Sequence, residues 1–315
     1  MHAAPPRLRR WMAASLAAVL LAVGGCGTLD VWQREAIFRI DPQQSRWFRE
    51  APAGTETFDL RHPNGETVHA WYLPAERPDA PTVLYLHGSR WNLHNSVFRF
   101  QHWQQMGFNM LAIDYRGFGR SSSLLPSETS AAEDVRLAFA ELERRQPDPA
   151  RRFIYGHSLG GALAIDFAAD AGQAAGQRLA GLVVESSFTR IADLVRASQW
   201  GWLPGLGWLI TQPFDSAGKL AQVETPLLLI HGTADHVVPS TMSEQLYLAA
   251  SSVRGGLKEL LLIDGGTHSS TSRIGGERYI EAVRRFTQQA ATGWQVAGHP
   301  APDARSTMAA AQAGG

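Results

Sequence analysis

The chain has 315 residues, 44% apolar and 18% charged, which suffices to bury the core of one large domain or two small ones and is too apolar for a disordered chain. The 29 Lys and Arg balance 29 Asp and Glu, so no basic excess points to nucleic acid. The single cysteine, Cys26, excludes a disulfide scaffold and a thiolate zinc cluster, and the eleven histidines show no HExxH-type metal pattern.

Residues 1–26 read as a unit apart. Arg7, Arg9 and Arg10 form a basic head, Trp11 to Val23 an uncharged Ala/Leu-rich run, and Val23-Gly24-Gly25-Cys26 a stretch of small residues. This order predicts a secretory signal. The run is shorter than the roughly 20 residues of a membrane span. Its last four residues resemble the bacterial lipobox. That resemblance implies a lipidated Cys26 at the mature N-terminus, membrane attachment through it, and no free thiol in an oxidising compartment. Gly27, where Asp would retain a lipoprotein at the inner membrane, implies by resemblance to enteric sorting the outer membrane of the cell envelope, facing the periplasm. Residues 27–54 read as a tether with some helix, since Trp32, Ala36 and Ile40 are spaced by four.

From residue 55 strands and helices alternate. Thr55 to Leu60 and Val68 to Leu73 flank the Asn64-Gly65 turn as a hairpin. Thr82 to Leu86 is a short apolar run of the kind that makes a buried parallel strand. Helix is expected over Ser96 to Met106, with Trp103 and Met106 on a core-facing side, and strand over Asn109 to Ile113. Ser130 and Glu133 have capping-box spacing ahead of a helix whose apolar face is Ala131, Val135, Ala138 and Leu142, and Pro147 and Pro149 close it. Phe153 to Tyr155, Gly181 to Val184, Leu227 to Ile230 and Leu260 to Ile263 read as strands, with helices at 162–169, about 240–250 and 277–290. Such alternation predicts a mostly parallel α/β sheet, with ligands beyond the carboxyl ends of its strands. Residues 55–292 form this domain. Residues 293–315, rich in Ala, Gly and Pro, read as a disordered tail.

The chemistry-bearing residues follow strands. Gly156-His157-Ser158-Leu159-Gly160 stands between a strand and an Ala-rich helix, the context in which G-x-S-x-G projects a serine above a sheet. Serine needs a base, and the base an orienting carboxylate. In chain order these are Asp235, after the strand at 227–230, and His268, after the strand at 260–263; Glu185, after the strand at 181–184, is the rival acid. Backbone donors for an oxyanion are expected from the amides of Leu159 and Ser89. Asp114-Tyr115-Arg116-Gly117 reads as a structural turn in which Arg116 ties loops together, and His157 as positional.

With Leu84-Tyr85-Leu86-His87-Gly88-Ser89, Asp114 to Ser121, Glu185-Ser186-Ser187-Phe188, His231 to Asp235 and Gly266-Thr267-His268, these motifs resemble the α/β-hydrolases. More narrowly, they resemble the serine-hydrolase branch of Bem46-like, ABHD13-like and ABHD17-like proteins. The resemblance covers about residues 55–290. Arg90 and Trp91 depart from the small residues usual after Gly88, and the segment from Phe188 to Pro226 is short. The resemblance implies helices on both faces of the sheet, no metal or organic cofactor, and a short lid over the nucleophile at about 189–222, with Trp200, Trp202 and Leu206 on a substrate-facing underside. It implies a serine hydrolase that cleaves carboxylic esters or thioesters of small molecules. An aminopeptidase or amidase of the same fold is the alternative enzyme, and an inactive binding protein the alternative without chemistry. Dehalogenase or epoxide-hydrolase chemistry would require Asp in place of Ser158. No protein partner can be inferred.

Overall fold

The computed structural model describes residues 27–40, 47–170, 179–198, 201–202 and 205–296. The expected leader with Cys26, Trp200, the side chain of Leu206 and the tail beyond residue 296 lie outside them.

Eight strands, β1 Glu56–Arg61, β2 Thr67–Leu73, β3 Thr82–Leu86, β4 Asn109–Ile113, β5 Arg152–His157, β6 Gly181–Glu185, β7 Leu227–Gly232 and β8 Lys258–Ile263, form one sheet in the order β1-β2-β4-β3-β5-β6-β7-β8. The β1–β2 hairpin and the β2–β4 pair are antiparallel, and every later pairing is parallel. Strands β3 to β7 are buried along their whole length, which explains their continuous apolar runs. Alternate residues divide between two cores, as the pleat requires. Leu84, Leu86, Ile154, Leu182 and Val184 face one side; Val83, Tyr85, Phe153, Tyr155 and Val183 face the other.

The first core is covered by α1 (27–38), α3 (Glu128–Arg145), α4 (Leu159–Asp170) and α7 (Thr241–Ala249); the second by α2 (Val97–Gln105) and α8 (Thr271–Val296). Two short helices, α5 (Ile191–Ala197) and α6 (Ser216–Leu220), lie between β6 and β7. Trp103 and Met106 are buried, as their spacing suggests. No described helix is long and apolar enough to cross a membrane.

Three details differ from the sequence expectation. The cap of α3 is Ser127, not Ser130: the Ser127 side chain accepts from Ser130 N–H, and Ser130 Oγ accepts from Ser127 N–H. Glu133 is taken instead by Arg116, whose guanidinium also holds Asp134 and Glu66 and so ties the β1–β2 turn to α3. Helix α8 starts at Thr271, bends at Gly276 (φ 47°) and continues to Val296. Residues 27–38, within the segment read as a tether, dock on the domain. Phe38 is fully buried, 6.3 Å from the Phe118 ring and 6.0 Å from that of Phe214. Gln33 donates to Leu209 O (2.7 Å) and accepts from Thr211 N–H (2.8 Å).

Candidate active site

Strand β5 ends at His157 and α4 begins at Leu159, so Ser158 alone makes the turn, with φ 55°. A non-glycine residue there is strained and persists only where its surroundings fix it. The flanking glycines are part of that fixing: a Cβ on Gly156 would strike the Gly160 carbonyl, and one on Gly160 the Leu86 carbonyl. Ser158 N–H donates to Glu185 O (2.9 Å), and Ser187 Oγ donates to Ser158 O (2.9 Å). Gly88 lets the loop after β3 approach, since a Cβ at that position would lie 3.1 Å from Ser158 Cβ.

The serine meets a histidine and a carboxylate. His268 Nε2 is 3.1 Å from Ser158 Oγ, and His268 Nδ1 is 2.8 Å from Asp235 Oδ2. A carboxylate on Nδ1 keeps the proton on that nitrogen and turns the Nε2 lone pair toward the serine hydroxyl. The Asp235 side chain is fully buried, and its Oδ1 accepts from Val237 and Val238 N–H at 2.8 and 2.9 Å. Burial pushes its carboxyl up, but hydrogen bonds from His231 and His268, together with the His268 charge, outweigh burial and hold it below the usual carboxylate range.

Two further histidines support this pair. His231 Nε2 lies 3.2 Å from Asp235 Oδ2, while its Nδ1 meets Ser243 Oγ at 2.6 Å. His157 Nε2 donates to His268 O (2.8 Å), which fixes the main chain at His268. Burial, together with the Arg99 charge, pushes the His157 imidazole well down, so it stays neutral. The sequence marks His157 as positional; His231 is visible there only within the His231 to Asp235 motif, and no spacing rule gives it its contact with Asp235.

Glu185, the rival acid, faces away from His268. Its Oε2 accepts from Tyr155 Oη (2.8 Å) and Tyr279 Oη (2.9 Å), and its Oε1 is 3.4 Å from Arg99 Nη2. The Ser89 N–H has no hydrogen-bond partner among the described residues. Leu159 is the first residue of α4, so its N–H lies outside the intrahelical ladder. Next to Ser89, Arg90 (φ 68°) donates its N–H to Phe38 O (2.9 Å), so α1 holds this loop. Of the residues expected on the underside of a lid, Trp202 is 74% exposed, and Trp208 nearby is 93% exposed. Among the described residues no cluster of His, Cys, Asp and Glu is arranged to hold a metal ion.

Residues 77–216 match the family model described as serine aminopeptidase, S33. The chain is 32% identical over 242 residues to the uncharacterized protein Rv2307c of Mycobacterium tuberculosis, covering 76% of this chain and 81% of that protein. It is 25% identical over 290 residues to the alpha/beta hydrolase domain-containing protein WAV2 of Arabidopsis thaliana, covering 85% of this chain and 92% of that one. Among solved structures, the Pyrococcus furiosus esterase Pf2001 superposes with a TM-score of 0.59 at 20% identity, over 79% of this chain and 96% of the esterase.

Proposed function

The chain belongs to the α/β-hydrolase superfamily, and from that premise we propose a serine hydrolase that cleaves carboxylic esters or thioesters through an acyl-serine. Ser158 is the nucleophile, His268 the base and then the acid, and Asp235 the carboxylate that orients His268. The observation that carries this reading is the unbroken line from Ser158 Oγ through His268 to Asp235, with links of 3.1 and 2.8 Å.

His268 Nε2 takes the Ser158 hydroxyl proton as Oγ attacks the ester carbonyl. The oxyanion is received by the amides of Leu159 and Ser89. His268 returns the proton to the leaving alcohol, or thiol, and the acyl-serine remains. Water, deprotonated by His268, then attacks the acyl carbon, and the acid leaves as Ser158 recovers its proton. Asp235 stays ionised throughout and stabilises the imidazolium.

The family description favours one second reading, an aminopeptidase. Within the superfamily the motifs favour the Bem46-like branch. The place of work is the cell envelope, held by a lipidated Cys26, and support for it comes from the leader sequence alone. Mass spectrometry of the mature N-terminus, with Cys26→Ser as the control, tests the anchor; an unmodified Cys26 would overturn it.

A fluorophosphonate should label the wild-type chain on Ser158 only, and Ser158→Ala should abolish labelling and lower kcat by roughly 10⁴ to 10⁶. Labelling at another serine, or none on folded protein, would sink the enzyme reading and leave a binding protein. A panel of esters and aminoacyl amides decides between the two chemistries.

A further inference from the structure

Beside the His268 loop lies a cavity of ≈ 540 Å³, within the range of small-molecule sites. Trp47, Trp91, Phe98 and Ile274 make its apolar walls, and Thr267, Ser269 and Ser270, which bracket His268, form another side. No described residue of the 189–222 segment lines it. The wall reaches the catalytic base through a short chain of contacts. The Trp91 ring stacks over His157 (centroids 6.3 Å apart), and the His157 ring is 5.0 Å from that of His268, whose carbonyl it holds.

The charged groups of this cavity have one sign. Its charged side chains are Arg49 and Arg273, with no Asp or Glu among the described lining residues. Arg273 is exposed and makes no ion pair among them. Asn95 also lines the cavity; it is 6% exposed, and its Nδ2 is a buried donor with no partner among the described residues. A buried donor left unpaired costs free energy unless an acceptor arrives. Apolar walls with cationic and donor groups fit a chain that carries an anion or an oxygen acceptor.

We propose that this cavity is the subsite for the apolar chain of the substrate, and that the substrate is an anionic amphiphile, its chain between Trp47, Trp91, Phe98 and Ile274 and its carboxylate or phosphate near Arg273. The proposal rests on the serine-hydrolase reading above and goes beyond it in naming the substrate class. The site includes part of the segment that precedes β1. Trp47 and Arg49 close one wall, held where the Phe48 ring stacks on His94 at 4.4 Å and Arg49 N–H donates to His94 O (3.1 Å). An apolar substrate group therefore sits on the His268 side of the nucleophile.

The test uses the full chain in two states. In Ser158→Ala, which needs no turnover, titration calorimetry compares dodecanoate, dodecanol and inorganic phosphate. Dodecanoate should bind at least tenfold more tightly than dodecanol, and phosphate alone should not saturate. Ile274→Trp should weaken dodecanoate about tenfold by filling the cavity, and Arg273→Glu should erase the preference over dodecanol. Leu248→Glu, at an exposed position outside the cavity, should change neither. In the wild type, dodecanoate should slow fluorophosphonate labelling of Ser158. Equal affinity for dodecanol, saturable phosphate binding, dodecanoate affinity indifferent to Ile274→Trp, or binding that leaves labelling unslowed would each overturn the proposal. Failure of the wild type to label at all would strike the hydrolase reading instead, and the calorimetry on Ser158→Ala would still decide what the cavity binds.

Discussion

Glu185 closes β6, and Asp235 follows the end of the neighbouring strand β7; both side chains are fully buried. Glu185 has its oxygens occupied by two tyrosine hydroxyls and the buried Arg99, and it meets the nucleophile only through its main-chain carbonyl, which accepts Ser158 N–H. Asp235 is held by two backbone N–H groups on Oδ1, which leaves Oδ2 for His231 and His268. A buried carboxylate is thus a structural group or a candidate catalytic one according to what occupies its second oxygen. In Glu185 that oxygen is committed to the core; in Asp235 it points at His268.

The sharpest way to break this contrast is Asp235→Asn. It should cost about 10⁴ in kcat through the wrong His268 tautomer and the lost imidazolium support, with only a small change in the urea midpoint. Near-normal turnover in that variant would move the acid elsewhere. Glu185→Gln should do the reverse. Leaving Arg99 buried without its anion should destabilise the fold by about 3–5 kcal/mol, while kcat per folded molecule stays within a few-fold. Chemical denaturation together with active-site titration separates the two effects. Pairing Glu185→Gln with Arg99→Met should recover much of the lost stability, because it removes the stranded cation; a double variant no better than the single one would show that the tyrosines, not the ion pair, hold this cluster.

Asp114, a third buried carboxylate, sharpens the comparison on a smaller scale. It accepts Leu93 N–H (2.8 Å), lies 3.6 Å from the buried His87 Nε2, and has no cation among the described residues to hold it ionised. Burial raises it to about 7, against the hydrogen bonds from Leu93 and Arg120 N–H, and burial pushes His87 down to about 4. Between its ordinary value of 3.8 and about 7 the folded chain keeps the Asp114 proton that the unfolded chain releases. Stability should therefore fall as pH rises through that window, by at most roughly 1.4 kcal/mol per pH unit. Asp114→Asn mimics the protonated form, so the wild type should lose stability relative to it from pH 4 to 7. His87 works in the opposite direction but is present in both chains, so to first order it drops out of the difference. A flat difference in urea midpoints across that range would show that Asp114 ionises freely in the folded chain.

Strand and helix positions were legible because they rest on neighbouring residues. The short apolar runs, the Asn64-Gly65 turn and the prolines after α3 act within a few positions of themselves. Ser158 was legible for the same reason: only glycines fit two positions to either side of the serine in that turn, so the motif carries its own geometry. Asp235 and His268 could be named from their positions after strands, but whether Asp235 or Glu185 faces the imidazole could not. That choice follows from the pleat. Glu185 stands two residues after Val183 and shares its face of the sheet, where Tyr155 and Tyr279 wait; Asp235 lies past the end of its strand, in a turn free to reach across.

What the sequence by itself determined is the alternation that makes a parallel α/β sheet and the strained serine turn, both consequences of local periodicity and of glycine's missing side chain. What only the tertiary structure decided is everything assembled from distant segments. Helix α1 holds the loop after Ser89 through Phe38 O, and Arg116 takes the glutamate that would otherwise have served as a cap. Residues 47–49, 91–98 and 267–274 close one cavity beside the base. Such contacts join residues tens to hundreds of positions apart, and their geometry is set by strand order and packing, which local patterns in a chain do not encode.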